Sequence, residues 1–296
     1  MSRVFVLLLF FVSMGWSYAQ SNLLNAKYPE EIGMKSDEQL AYDNDQPLPY
    51  GYINDRDVLW GKMTWEIVDL DERVNFPLYY PVDTNNIGPD RRSLFHVLMR
   101  AVKDGSLVVY DDSYFNNIRT LNDLQATLKR IDTADAGFDQ LNAQGGVGPI
   151  DDQYVDVFEI DAYDVQEYRI KGYWYFDTRH SEMKYRLLGI APVTPDVNFL
   201  DAEEPALVEL FWVWFPDVRE LLHEAKAFNN KNSAKPISFD HLLNSRRFSA
   251  TIYQIDNVQG DRQINEYIAD NAMLQLLESE RLKNTIRDFE LGLWNY

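Results

Sequence analysis

Two hydrophobic periods run along this chain, and a few stretches follow neither. Residues 63–70, MTWEIVDL, alternate apolar and polar positions and predict a β-strand. Ser93 then stands as a helix cap before Leu94, Val97, Leu98, Ala101 and Val102, which recur at helical spacing; Gly105 marks the stop. SLVVYD at 106–111 predicts the next strand. Thr120 caps a second short helix with Leu121, Leu124, Leu128 and Ile131 on one face. Periodicity lapses over residues 132–150, which are rich in Gly, Ala and polar side chains.

Strands return with DVFEIDAY at 156–163 and a long hairpin over 167–193 that turns near Thr178–Glu182. The apolar run at 206–215 predicts a buried strand. Pro216 and Asp217 open a helix with Val218, Leu221, Leu222, Ala225 and Phe228 on its inner face. A short helix (SFDHLL), a strand (RFSATIYQID) and a long helix over 261–292 complete the chain. Mixed elements without a βαβ rhythm predict an α+β fold made of two mixed α/β halves.

The expected organisation is a signal peptide at 1–19, an acidic extended arm at 20–54, an N-terminal α+β domain at 55–131, a linker at 132–150 and a C-terminal α+β domain at 151–296. The signal peptide rests on Arg3, the apolar run at 4–12 and small residues at Ser17 and Ala19, with cleavage after Ala19. The apolar run is too short for a bilayer span, so no direct membrane insertion is expected. The halves share an order of features: Trp65 or Trp212, an arginine (Arg73 or Arg219), an aromatic pair before a proline, then a serine-started helix. An internal duplication would explain it, although the aromatic-proline step lies on opposite sides of the arginine.

Composition narrows the function. The 47 acidic and 28 basic side chains give a net charge of −19, which disfavours nucleic acid and anionic lipid as partners and favours basic protein surfaces. Without cysteine the chain has no disulfide, thiolate metal site, cysteine nucleophile or lipidated N-terminal cysteine. Neither His96, His180, His223 nor His241 falls in a metal-ligand spacing, and no GxSxG elbow, phosphate loop or DxDxDG loop occurs. No catalytic residue, cofactor or metal is therefore predicted. Two other classes keep a place: an exported hydrolase, and a carbohydrate- or calcium-binding module of the cell envelope.

Four segments together carry a family resemblance: residues 57–81, the hairpin at 170–193, FWVWFPDVRELL at 211–222 and SFDHLLNSRRFSATIYQIDN at 238–257. With the leader and the tyrosine-rich strands, the chain resembles the GldN (PorN) family of the type IX secretion and gliding-motility machinery of Bacteroidetes. That resemblance implies a non-enzymatic periplasmic protein held at the outer membrane by a GldK/PorK-like lipoprotein. It further implies a ring containing other copies of itself and contact with a GldM/PorM-like motor protein. Large aromatic side chains and neighbouring arginines suit protein interfaces, so Trp65, Arg73, Tyr79, Tyr80, Trp212, Trp214 and Arg219 are the candidate interface residues.

Overall fold

The computed structural model describes residues 45–293 except 86, 89–90, 146–148, 200–201, 203–204, 230–235 and 270, together with residues 28 and 41. The predicted signal peptide and most of the predicted arm lie outside the described residues. The described residues from Pro47 onward form one compact unit.

Three long antiparallel strands carry the fold: β1 (Val58–Asp69), β6 (Glu167–Asp177) and β7 (Glu182–Pro195). Shorter strands complete the sheet: β2 (Val109–Tyr110), β3 (Ile118–Arg119), β8 (Leu207–Glu209), β9 (Trp212–Trp214) and β12 (Thr251–Ile255). Their order is β12-β1-β6-β7-β9-β2-β3, with β8 also beside β7. The expected boundary at 132–150 does not separate two sheets. Strand β1 pairs with β6 from Val58↔Asp177 to Asp69↔Glu167, so sequence-distant halves share one hydrogen-bonded ladder.

Alternation along the strands sends two apolar sets to opposite faces. On one face Val68, Ile170, Leu187 and Ile190 join the main core. Much of its other side comes from α2 (Leu94–Lys103), α5 (Phe215–Glu224) and α6 (Phe239–Asn244). The caps are those the sequence encodes: Ser93 accepts from the His96 amide and Ser238 from the His241 amide. On the opposite face Trp65, Ala191 and Trp212 make a smaller aromatic core with Phe115 and Tyr253. Gly172 permits a close approach in β6, because a Cβ there would lie 2.0 Å from the Tyr185 hydroxyl.

Two predicted elements come out differently. The helix expected over 261–292 is broken into α7 (Ile264–Tyr267) and α8 (Ala272–Leu293). Ile268 leaves helical geometry, and Asn271 restarts the helix by accepting from the Leu274 amide at 3.0 Å. α8 packs Leu282 and Ile286 beside Ile252 of β12 and stacks Phe289 on Trp60 at 4.7 Å. The stretch at 132–150 holds α4 (Asp135–Ala143) rather than a structureless linker. Gly137 reads as a linker glycine yet marks tight packing, since a Cβ would lie 2.8 Å from Thr133.

The remaining helices are a single turn, α1 (Phe76–Tyr79), and α3 (Leu121–Leu128), whose Thr120 and Asp123 form a reciprocal capping box. Ile131 does not extend the α3 face. It lies in β4 (Lys129–Thr133), which pairs with β5 (Val155–Glu159) as a separate two-stranded sheet. The expected arm also ends early, because Tyr50 already packs against Arg186 and Arg219.

Candidate interaction surface

The seven residues singled out for an interface divide by burial. Trp65 is 1% exposed and Trp212 is 0%, so their side chains act inside the fold, while Arg219, at 8%, shows only an edge. Trp65 donates from its indole to the Ser113 hydroxyl at 2.9 Å, and Trp212 to Glu209 at 2.5 Å. Arg219 pairs with Asp240 at 2.8 Å and donates to the Leu48 carbonyl at 2.7 Å. The physical reason is that a β-sheet with two covered faces buries the aromatics of both. Trp214 is half-buried, with Phe115 edge-on at 4.9 Å.

Arg73, Tyr79 and Tyr80 instead lie in the β1–α2 connection, Arg73 and Tyr80 exposed and Tyr79 half-buried against the main core. Tyr80 is 47% exposed and meets Tyr79 edge-on at 4.8 Å. The Tyr79 hydroxyl donates to the Tyr163 carbonyl at 3.1 Å, which links this loop to a tyrosine ring that is 74% exposed. Sequence reasoning missed Tyr163, because a tyrosine after a strand carries no mark of which way it faces.

A second exposed apolar surface stands on the β4–β5 ribbon. Ile131 and Val157 are directly opposed across its strands and are both more than half exposed. The other face presents Phe158, over which the Arg130 guanidinium sits at 5.8 Å. A two-stranded ribbon has free backbone edges as well as free faces, and alone it is marginal in water. This ribbon is tied down at its base, where the Ile160 amide donates to the Leu128 carbonyl and Lys103 pairs with Glu159. A strand signal was present in DVFEIDAY, but alternation cannot tell an exposed ribbon from a covered sheet.

The family model described as "Gliding motility associated protein GldN" matches residues 53–295. The chain belongs to the GldN family. A comparison with curated proteins gives no match. Both the tyrosine loop and the ribbon of this GldN-family chain fall inside the matched region.

The start of α8 gives this GldN-family fold another exposed apolar face. Met273, Leu274, Leu276 and Leu277 are each at least 48% exposed, while Ser279, Leu282 and Ile286 of the same helix face inward. Burial lowers the pKa of His96, whose Nδ1 lies 2.7 Å from the Ser93 hydroxyl. Burial likewise lowers the pKa of Lys171, whose ammonium sits between the Trp65 and Tyr114 rings at 4.8 and 4.6 Å. Among the described residues no group of three or more His, Cys, Asp or Glu is placed to hold a metal ion. No described helix is long and apolar enough to cross a membrane.

Proposed function

We propose that this gliding-motility-associated protein works by binding other proteins and not by catalysis. In this reading it is an exported periplasmic component of the type IX secretion and gliding machinery. A GldK-like lipoprotein would hold it at the outer membrane. Copies of both would form a ring that couples to a GldM-like motor. The observation that carries the reading is the β4–β5 ribbon, with Ile131, Val157 and Phe158 exposed on two faces of an otherwise isolated strand pair. Such a ribbon gains most from a partner that pairs with its edge or covers a face. The −19 charge adds steering toward basic partner surfaces.

The test is recovery of tagged protein from cell envelopes in mild detergent, with co-purifying proteins identified and sized. Wild type should bring down a large assembly containing an outer-membrane lipoprotein and a motor-like periplasmic protein. Val157→Lys combined with Phe158→Glu should lose that assembly while the protein itself stays folded. A wild-type protein recovered only as a monodisperse monomer would sink the proposal.

A further inference from the structure

Strand β7 pairs with β9 only through Gly189 and Ile190, which leaves the edge at 182–188 without a neighbouring strand among the described residues. Residues 48–53 lie beside that edge. They bound a cleft of about 330 Å³ whose wall includes Tyr50, Tyr52, Tyr175, Lys184, Arg186 and Arg219. Cations and tyrosine rings interleave here. The Arg186 guanidinium lies 4.5 Å from the Tyr50 ring centre and 5.9 Å from that of Tyr175. Arg219 approaches Tyr50 as well, at 4.1 Å.

The acidic groups around the cleft already have cations. Asp240 is held by Arg219 at 2.8 Å. Asp177 is shared by Lys184 at 2.9 Å and His180 at 2.7 Å, and Glu182 takes Lys184 at 2.9 Å. Arg186 is different. Its Nη2 donates to the Gly51 carbonyl at 3.2 Å, and no carboxylate lies within ion-pair distance among the described residues. In a chain with 47 acidic against 28 basic side chains, a half-buried guanidinium without a carboxylate runs against the charge balance.

A guanidinium carries five donors in one plane, and stacking against rings fixes the orientation of that plane. The ordering cost of a bidentate contact is thus already met in the free protein. A planar carboxylate matches the fork with two parallel charge-assisted hydrogen bonds. A multiply charged phosphate would meet more repulsion from the net charge of −19 than a single carboxylate does. We propose that this cleft is a binding site for one carboxylate of a protein segment, an acidic side chain or a free C terminus, gripped by Arg186. The protein origin of that carboxylate rests on the function proposed above; the carboxylate site itself does not.

Two-dimensional NMR of the arginine Nε–H signals of the full protein tests it, with the Arg186 signal assigned from Arg186→Lys. The probes, at matched ionic strength, are acetate, an amidated peptide bearing one aspartate, a peptide with a free C terminus and no other acid, and inorganic phosphate. A saturable shift of the Arg186 signal with the carboxylates is expected, and the tighter peptide identifies the source. Arg186→Gln should abolish the binding response, read on the neighbouring Arg219 signal. Arg186→Lys, which keeps charge but loses the fork, should weaken it about tenfold. An Arg186 signal that stays still, or that responds to phosphate as strongly as to carboxylate, overturns the site. Failure here leaves the protein-binding proposal standing, whereas a monomer in the envelope experiment sinks that proposal whatever Arg186 binds.

Discussion

The sheet face around Trp65 and Trp212 and the β4–β5 ribbon use the same kinds of residue to opposite ends. On the sheet, alternation places large side chains beneath a covering loop, and Trp65, Ala191 and Trp212 are almost completely enclosed. On the ribbon, similar alternation leaves Ile131 and Val157 more than half exposed. The difference lies in neighbours. β1 has a strand on each side over part of its length, and its aromatic face is covered by the turn after β2, where Ser113 and Tyr114 meet Trp65. Among the described residues β4 and β5 have only each other as strand neighbours. Large aromatic content is therefore a poor guide to an interface in this fold, and unpaired strand edges are a better one.

Substitutions can break that contrast, and the largest effect belongs to the covered face. Trp212→Ala should cost about 3–5 kcal/mol in urea unfolding, through lost burial and the cavity left behind. A loss under about 1 kcal/mol would mean that this face is not packed as described. Next comes Arg246→Ala, which strips the 2.7 Å partner from Glu66, a side chain only 1% exposed. Leaving that carboxylate unpaired should cost about 3 kcal/mol or more by the same measurement.

A pH effect of smaller size sharpens the comparison at the hairpin end. Hydrogen bonds from Lys184 and His180 hold the Asp177 carboxyl well below the usual carboxylate range. Its folded pKa is thus lower than its unfolded pKa. The stabilisation is complete above the unfolded value near 3.8 and is lost as pH falls below it toward the folded value. Asp177→Asn should flatten the acid limb of a melting-temperature profile, and an unchanged limb would count against the pairing. The smallest stability effect is expected on the ribbon. Val157→Lys should change unfolding free energy by no more than about 0.5 kcal/mol, because that side chain is more than half exposed. A large loss of stability there would show the ribbon to be covered, and would undo the contrast.

Local chemistry carried much of the secondary structure. Ser93, Thr120 and Ser238 mark three helix starts because a short side-chain oxygen satisfies an otherwise unpaired amide of the first turn. Gly105 ends α2 with φ of +71°, a conformation that costs other residues more. The hairpin of β6 and β7 turns where the polar run at 178–181 interrupts the strand pattern. Family membership was legible too, from four ordered segments placed between residues 57 and 257, inside the region matched by the family model. Where prediction missed, a tertiary contact had overridden a local one. Phe228 leaves the α5 pattern because Ala225 turns extended and β10 (Lys226–Ala227) pairs with β11 (Ile237–Ser238).

The sequence by itself determined the helix caps, the main strand periods, the acidic balance and the kinship with GldN, because each depends on residues close together or on totals. Which aromatics are hidden, which arginines lack a carboxylate and which strand pair stands apart were decided only by the tertiary structure. Those properties depend on what the chain brings alongside from more than a hundred positions away, as β6 does for β1 and Asn244 does for Tyr50. Periodicity says that a side chain faces one side of its element. It does not say what, if anything, covers that side.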